Sequence, residues 1–493
     1  MNFRGRLLSS LIVISILTSC ISIAEVRPTS IPLPTNTAAP IITPLPTERT
    51  EPEQAVEHPN NTISYNITAE MKYDAKTILV EEEINFTNGT GIKLEDILLV
   101  VPPNAIPGTF ELIQVFVNKS NHDGFELDGE RLLIKGLALP NSDQIQLGVR
   151  FKLTLPEITQ GDPKIERPKI FGVTDQQVNL TDWYAMVVPY DAKEGWLLHN
   201  AGFYGEHLVY PVSNINLKFI FTETENIPTI ASSTQPEMVD ATYTYSFPNS
   251  RDFVLSMGRT MQVASGDADG IAVHSYYFMP YKTGGEAVLK TTIESIQLYT
   301  KLFGPIDRRS VSAVQGDFDD GMEFDGLYYL SESFYNLYDG NPNQYLILVA
   351  AHETCHQWWF ASVANDQAIH PWMDESLSTY CEKLYYENYY PELVDWWWFT
   401  RINFYEPSGF IDQDIFTYQG FTPYTNATYR QGAKFLEELR VLIGDEAFFA
   451  FLRQYASEMG GKIATPEDFF RILRANTNAD LTSLISNYFQ GSY

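Results

Sequence analysis

The feature that most constrains this chain is a change of hydrophobic period near Gly266. Upstream of it, Ile145, Leu147, Val149, Phe151, Leu153 and Leu155 alternate with the residues between them, and Ile215, Leu217, Phe219 and Phe221 do likewise. Such alternation buries one face of a strand, and turn signals such as Thr87-Asn88-Gly89 divide the region into many short runs. Residues 59–266 therefore read as an all-β domain, an antiparallel sandwich or saddle-like sheet. Downstream, Val288, Leu289, Ile293, Ile296, Tyr299, Leu302 and Phe303 share one side of a helix that Gly304-Pro305 ends. Val311-Ser312-Ala313-Val314 then reads as a strand, and helical runs follow, including 435–442 and 448–455. The predicted fold class is multidomain, β then α+β, with a mainly α-helical second domain over 267–493. A chain of 493 residues is long enough for both cores.

The amino terminus reads as an export signal. Arg4 and Arg6 precede an apolar stretch from Leu7 to Leu17, and Leu17-Thr18-Ser19-Cys20 has the layout of a lipobox. On this reading residues 1–19 are a signal peptide and Cys20 is lipidated, which places the protein outside the cytoplasm as a bacterial membrane lipoprotein. An ordinary cleaved signal with an incidental cysteine is the alternative. Residues 20–58 are rich in Pro and Thr, the composition of a stiff extended spacer. No later segment has the run of apolar residues needed to cross a bilayer.

Lys and Arg number 33 against 62 Asp and Glu, a formal net charge of -29. That balance repels polyanions and excludes nucleic acid as a partner; it suits a solvated surface or the attraction of basic substrates. The three cysteines leave Cys355 and Cys381 as one possible pair once Cys20 is set aside. Both lie in expected core helices and read as two small buried thiols, with a bridge as the alternative in an oxidising compartment.

The chemistry concentrates in His352-Glu353-Thr354-Cys355-His356, within an apolar, helix-compatible run. A spacing of four puts both imidazoles on one helical face, where they can share a Zn(II) ion. Separated from His356 by eighteen residues, Glu375 lies at the start of another helical segment and supplies a third ligand. Two imidazoles and one carboxylate leave a coordination position open, the arrangement of a catalytic zinc site, one ion per chain. His370 competes as a ligand but precedes Pro371 in the connecting loop and reads as structural. Glu353 projects beside the metal, where a carboxylate can take a proton from water. Thr379, one turn beyond Glu375, is placed to support a ligating histidine. Trp358, Trp359 and Trp396-Trp397-Trp398-Phe399 read as core.

This pattern resembles the gluzincin metallopeptidases of the membrane alanyl aminopeptidase (aminopeptidase N) family, whose signature is His-Glu-x-x-His, eighteen residues, then Glu. His356-Gln357-Trp358 and Trp372-Met373-Asp374-Glu375-Ser376 resemble the segments around that family's ligands, with Asp374 where Asn is usual. Asp320-Gly321-Met322-Glu323-Phe324 resembles its Gly-x-Met-Glu-Asn strand, which implies that Glu323 binds the free α-amine of the substrate. Asp320 and Phe324 depart from that pattern. Tyr429-Arg430-Gln431-Gly432 resembles its Tyr-x-Lys-Gly segment, which implies that the Tyr429 hydroxyl supports the oxyanion. The resemblance implies a thermolysin-like catalytic domain and a zinc metallopeptidase that removes amino-terminal residues from peptides or proteins. With 118 residues after Glu375, it implies a short form without the family's large carboxy-terminal helical domain. No counterpart is evident of the family's amine-binding glutamine in the first domain. The rival readings are an endopeptidase with an open cleft, a surface-binding lipoprotein that keeps its zinc site without chemistry, and hydrolysis of a non-peptide substrate.

Overall fold

The alternating segments form strands whose alternating apolar residues face inward. In Gln144–Thr154, Ile145, Leu147, Val149, Phe151 and Leu153 are buried, as are Ile215, Leu217, Phe219 and Phe221 in Ser213–Phe221. A computed structural model describes residues 63–160, 169–223, 225–318 and 320–493. The expected signal peptide, Cys20 and the spacer over 20–58 lie outside the described residues. Among the described residues no helix is long and apolar enough to cross a membrane.

The first domain is built on an eight-stranded sheet that includes, in spatial order, Thr242–Ser250, Ser213–Phe221, Ile63–Lys72, Thr77–Thr87, Gln144–Thr154 and Phe110–Val117. A four-stranded sheet containing Leu94–Val100 and Arg131–Leu139 shares its core, where Ile78, Val80, Ile97, Leu99, Leu132 and Ile134 have no more than 1% exposure. Each such side chain contributes about 1.5–3 kcal/mol by leaving water. Ile63–Lys72 departs from the expected antiparallel pattern, pairing in parallel with Ser213–Phe221. Alternation fixes which face a strand buries, and both orientations satisfy it equally.

The second domain opens on a five-stranded sheet, Gln262–Ala268, Ile271–Tyr277, Ser310–Gly316, Leu327–Ser331 and, at the edge, Gly321–Phe324. Its first strand thus begins a few residues before position 267. Helix Lys282–Phe303 packs on it, with Leu289 and Ile293 against Gly266, buries Val288, Ile296, Tyr299 and Phe303, and is ended by Gly304 at φ +101°. Helices Tyr345–Cys355 and Trp372–Tyr389 run through the core and are buried over most of their circumference. Arg251, 2% exposed, ties the domains together. It donates to the carbonyls of Tyr210, Ala361, Ser362 and Lys462 at 2.8–3.1 Å.

Candidate active site

The buried helix Tyr345–Cys355 aims His352 at one point, with His356 just past its last turn, and helix Trp372–Tyr389 brings Glu375 to the same point from its first turn. His352 Nε2 lies 3.2 Å from His356 Nε2 and 3.1 Å from Glu375 Oε2, and His356 Nε2 lies 3.6 Å from the same oxygen. Ligands held tetrahedrally at about 2.0–2.1 Å from one ion stand about 3.3 Å apart, so this trio fits Zn(II) without rearrangement. The electrostatics agree. Burial pushes the carboxyls of Glu323, Glu353 and Asp374 upward, the response of anions short of a cation. At Glu375 burial is outweighed by hydrogen bonds from both imidazoles, which hold it below the usual carboxylate range. Burial would lower His352, yet its bonds to Glu375 and Glu382 carry it up to about 9.

Glu382, not Thr379, backs the site. Its Oε1 is 2.9 Å from His352 Nδ1, and its carboxylate also accepts from Trp397 Nε1 at 2.9 Å and from Arg401 Nε and Nη2 at 3.0 and 2.9 Å. The Thr379 hydroxyl is buried and makes no hydrogen bond. Glu382 lies two turns beyond Glu375 on the same helical face, far enough for its longer side chain to pass behind His352, where the shorter threonine cannot reach. His356 Nδ1 faces the Trp359 carbonyl at 3.1 Å. His370 joins no metal-binding group among the described residues; its amide donates to the Asp366 carbonyl at 2.7 Å and its carbonyl accepts from Asn365. Cys355 and Cys381 are bridged, which corrects the reading as two thiols: their Cα atoms are 6.3 Å apart across the two ligand helices.

Glu353 Oε2 is buried with no hydrogen-bond partner, and the side chain lines a cleft of about 420 Å³ that also contains His352 and Glu375. The edge strand leaves room for it through Gly321, where a Cβ would stand 2.1 Å from Glu353 Oε1. Asp320 precedes that glycine at φ +95°, a conformation glycine adopts more easily, and its carboxylate accepts from the Gly321 amide at 3.0 Å.

Tyr429 reaches the site from a π-helical turn, Asn426–Gln431, and donates its hydroxyl to Glu375 Oε1. Gly432 makes this approach possible: a Cβ there would fall 1.9 Å from Ser376 Oγ, which itself donates to the Thr428 carbonyl at 2.6 Å. Glu323 sits on the His356 side, accepting from Gln367 Nε2 at 3.1 Å; Gln367 also donates to Asp374 Oδ2 at 2.8 Å. Glu206, from a loop of the first domain, was not evident in the sequence. One of its carboxylate oxygens lies within 4.8 Å of carboxylate oxygens of both Glu323 and Glu375. It follows Tyr204 and Gly205 in a segment with no apolar period, so only the folded chain brings it to the cleft.

Residues 289–488 match the peptidase family M1 domain. Aminopeptidase M1-A of Oryza sativa subsp. japonica is 23% identical over 299 residues, covering 55% of this chain and 34% of that protein. Aminopeptidase M1 of Arabidopsis thaliana is 25% identical over 237 residues, 45% of this chain and 27% of its own. The chain thus spans about a third of the length of these relatives. Among solved structures, an M1 zinc metallopeptidase from Deinococcus radiodurans superposes with a TM-score of 0.60 at 14% identity, over 88% of this chain and 96% of that one. Legionella pneumophila aminopeptidase A, solved in complex with aspartic acid, gives 0.62 at 14% identity, over 88% and 50%. These likenesses establish the fold.

Proposed function

With residues 289–488 forming a peptidase family M1 domain, we propose that the chain is a zinc-dependent aminopeptidase that removes amino-terminal residues from peptides. One observation carries the reading. The carboxylates of Glu323 and Glu206 stand beside the His352, His356 and Glu375 trio, at the spot where a cationic amino terminus would fix the first peptide bond over the metal.

His352, His356 and Glu375 would hold one zinc ion per chain. Zinc supplies Lewis acidity, polarising a carbonyl and making water easier to deprotonate. Glu353, with a free oxygen facing the cleft, takes the proton of the attacking water and returns it to the departing amine. Tyr429 turns its hydroxyl from Glu375 to the carbonyl oxygen as charge develops there. Glu323 and Glu206 bind the substrate ammonium, and Gln367 keeps Glu323 in place. The first domain therefore provides the amine contact that the family resemblance left without a counterpart. Lipidation at Cys20 tethers the enzyme to a bacterial membrane outside the cytoplasm, with residues 20–58 as spacer, and peptides or proteins there are the substrates.

The test compares a peptide bearing a free amino terminus with its acetylated twin, using the zinc-loaded full chain and Glu353→Gln as control. Cleavage of the free peptide alone supports the reading. Equal cleavage of both replaces it with an endopeptidase, and cleavage of neither across a varied panel removes peptidase activity altogether.

A further inference from the structure

Asp320, Arg401 and Arg430 line the cleft and have no task in the mechanism above, and of the two cations Arg430 is the one without a carboxylate bonded to it. Arg430 is 8% exposed and lines the cleft beside Arg401 and Tyr405. Its Nη1 donates to Thr425 Oγ1 at 2.8 Å and to Asn426 Oδ1 at 2.7 Å, and its Nε to the Arg401 carbonyl at 3.2 Å. Its guanidinium carbon stands 3.7 Å from the centroid of the Tyr405 ring. Each of these partners is neutral. Among the described residues no carboxylate forms an ion pair with Arg430, whereas Arg401 beside it is matched by both oxygens of Glu382.

Glu382, bonded to Arg401, acts on Arg430 only from a distance, and a buried cation with no carboxylate in contact is costly, whereas a neutral side chain could make the same hydrogen bonds without that cost. Burial and the neighbouring Arg401 lower Arg430 to about 10, which still leaves it charged at neutral pH. Its position gives the charge a use. Glu323 groups with His356 on one side of the metal-binding trio. Arg401 and Arg430 lie on the other, where the Tyr429 ring stacks on His352 and the Arg401 guanidinium carbon is 5.9 Å from the Tyr429 ring. A peptide held by its ammonium at Glu323 and crossing the metal runs toward Arg430.

We propose that Arg430 seats a carboxylate of the bound peptide, on the far side of the scissile bond from Glu323 and Glu206. This rests on the aminopeptidase reading and deepens it: the cleft is matched at both ends to a dipolar substrate. The carboxylate is either the carboxy terminus of a short peptide or an acidic side chain just beyond the cleaved bond. A planar guanidinium recognises both in the same way, through paired hydrogen bonds. A chain with a net charge of -29 repels anions at long range, so a carboxylate is retained only where a local cation outweighs that field.

The experiment measures kcat/KM of the zinc-loaded full chain for trialanine against trialanine carboxamide, and for carboxamides differing only in Glu or Gln at the second or third residue. The expected result is at least about a tenfold preference for the member carrying the carboxylate in one of the two comparisons. A preference in the first assigns the carboxy terminus, and one in the second assigns an acidic side chain. Arg430→Gln should bring the ratio close to one while carboxamide cleavage persists. Arg430→Lys, which keeps the charge and loses the planar fork, should keep only part of the ratio and serves if the glutamine variant does not fold. Equal rates in both comparisons, or a ratio unchanged in the variants, overturn the proposal while leaving the aminopeptidase reading standing. No cleavage of any of these peptides overturns both.

Discussion

The rings of Tyr429 and His352 lie in a nearly parallel stack, with centroids 5.9 Å apart and planes 9° from parallel. On the proposed mechanism the stack orients the phenol and the hydroxyl does the chemistry, so one substitution separates the two. Tyr429→Phe keeps the ring and removes the oxygen. We expect kcat to fall roughly 100- to 1,000-fold with KM and zinc content little changed. Steady-state kinetics alongside metal analysis checks this, and an unaltered kcat would take Tyr429 out of the mechanism.

Glu382 orients His352 while neutralising Arg401 from a fully buried position. Its charge is therefore committed twice. Glu382→Gln should weaken zinc binding by roughly 10- to 100-fold, measured by competition with a chelator. The melting temperature should fall as well, because Arg401 loses its counter-charge. Zinc affinity equal to the parent's would mean that His352 is oriented without it.

Gly321 is a clearance rather than a hinge. Its hypothetical Cβ is 2.1 Å from Glu353 Oε1 and 2.9 Å from Val349 Cγ1, and the carboxylate is the easier of the two to displace. Gly321→Ala should therefore lower kcat by roughly 100-fold or more, the contribution of a well-placed proton acceptor, with zinc still bound. A variant as active as the parent would show that Glu353 works from another rotamer.

Removing the metal should abolish hydrolysis and leave the fold. The ligand helices sit in a large apolar cluster that includes Leu346, Leu348, Trp372 and Tyr385, and their packing does not depend on the site. After chelation the far-ultraviolet circular dichroism should be unchanged. The melting temperature should drop and then recover, with activity, as zinc is added back. Unfolding on chelation would make the zinc structural.

His352, His356, Glu375 and Glu353 were legible in the sequence because a helix converts spacing into direction: histidines four positions apart share one face, whatever surrounds them. The same geometry could have revealed Glu382, seven residues beyond Glu375. Attention to the nearer turn selected Thr379, whose side chain is too short to pass behind His352. Glu206 and Arg430 were not legible as site residues. Glu206 meets Glu323 and Glu375 across more than a hundred positions of chain, and Arg430 meets Arg401 and Tyr405 through a fold in the chain that no local period carries. The strands of the first domain were plain from alternation, whereas the parallel pairing of Ile63–Lys72 with Ser213–Phe221 was not, since alternation sets a face and no partner. The Cys355–Cys381 bridge likewise depends on a distance between two helices that neither helix encodes alone.

Glu206 belongs to the first domain, the metal ligands and Glu353 to the second, and Arg251 clamps the two through four carbonyls. On the proposed reading, the gauge that finds the start of a peptide is therefore laid across a junction. Chemistry belongs to one domain, while the decision where to cut belongs to the seating of both. A disturbance of that seating, such as the loss of Arg251, would shift the cleavage register before it slowed the cleavage itself.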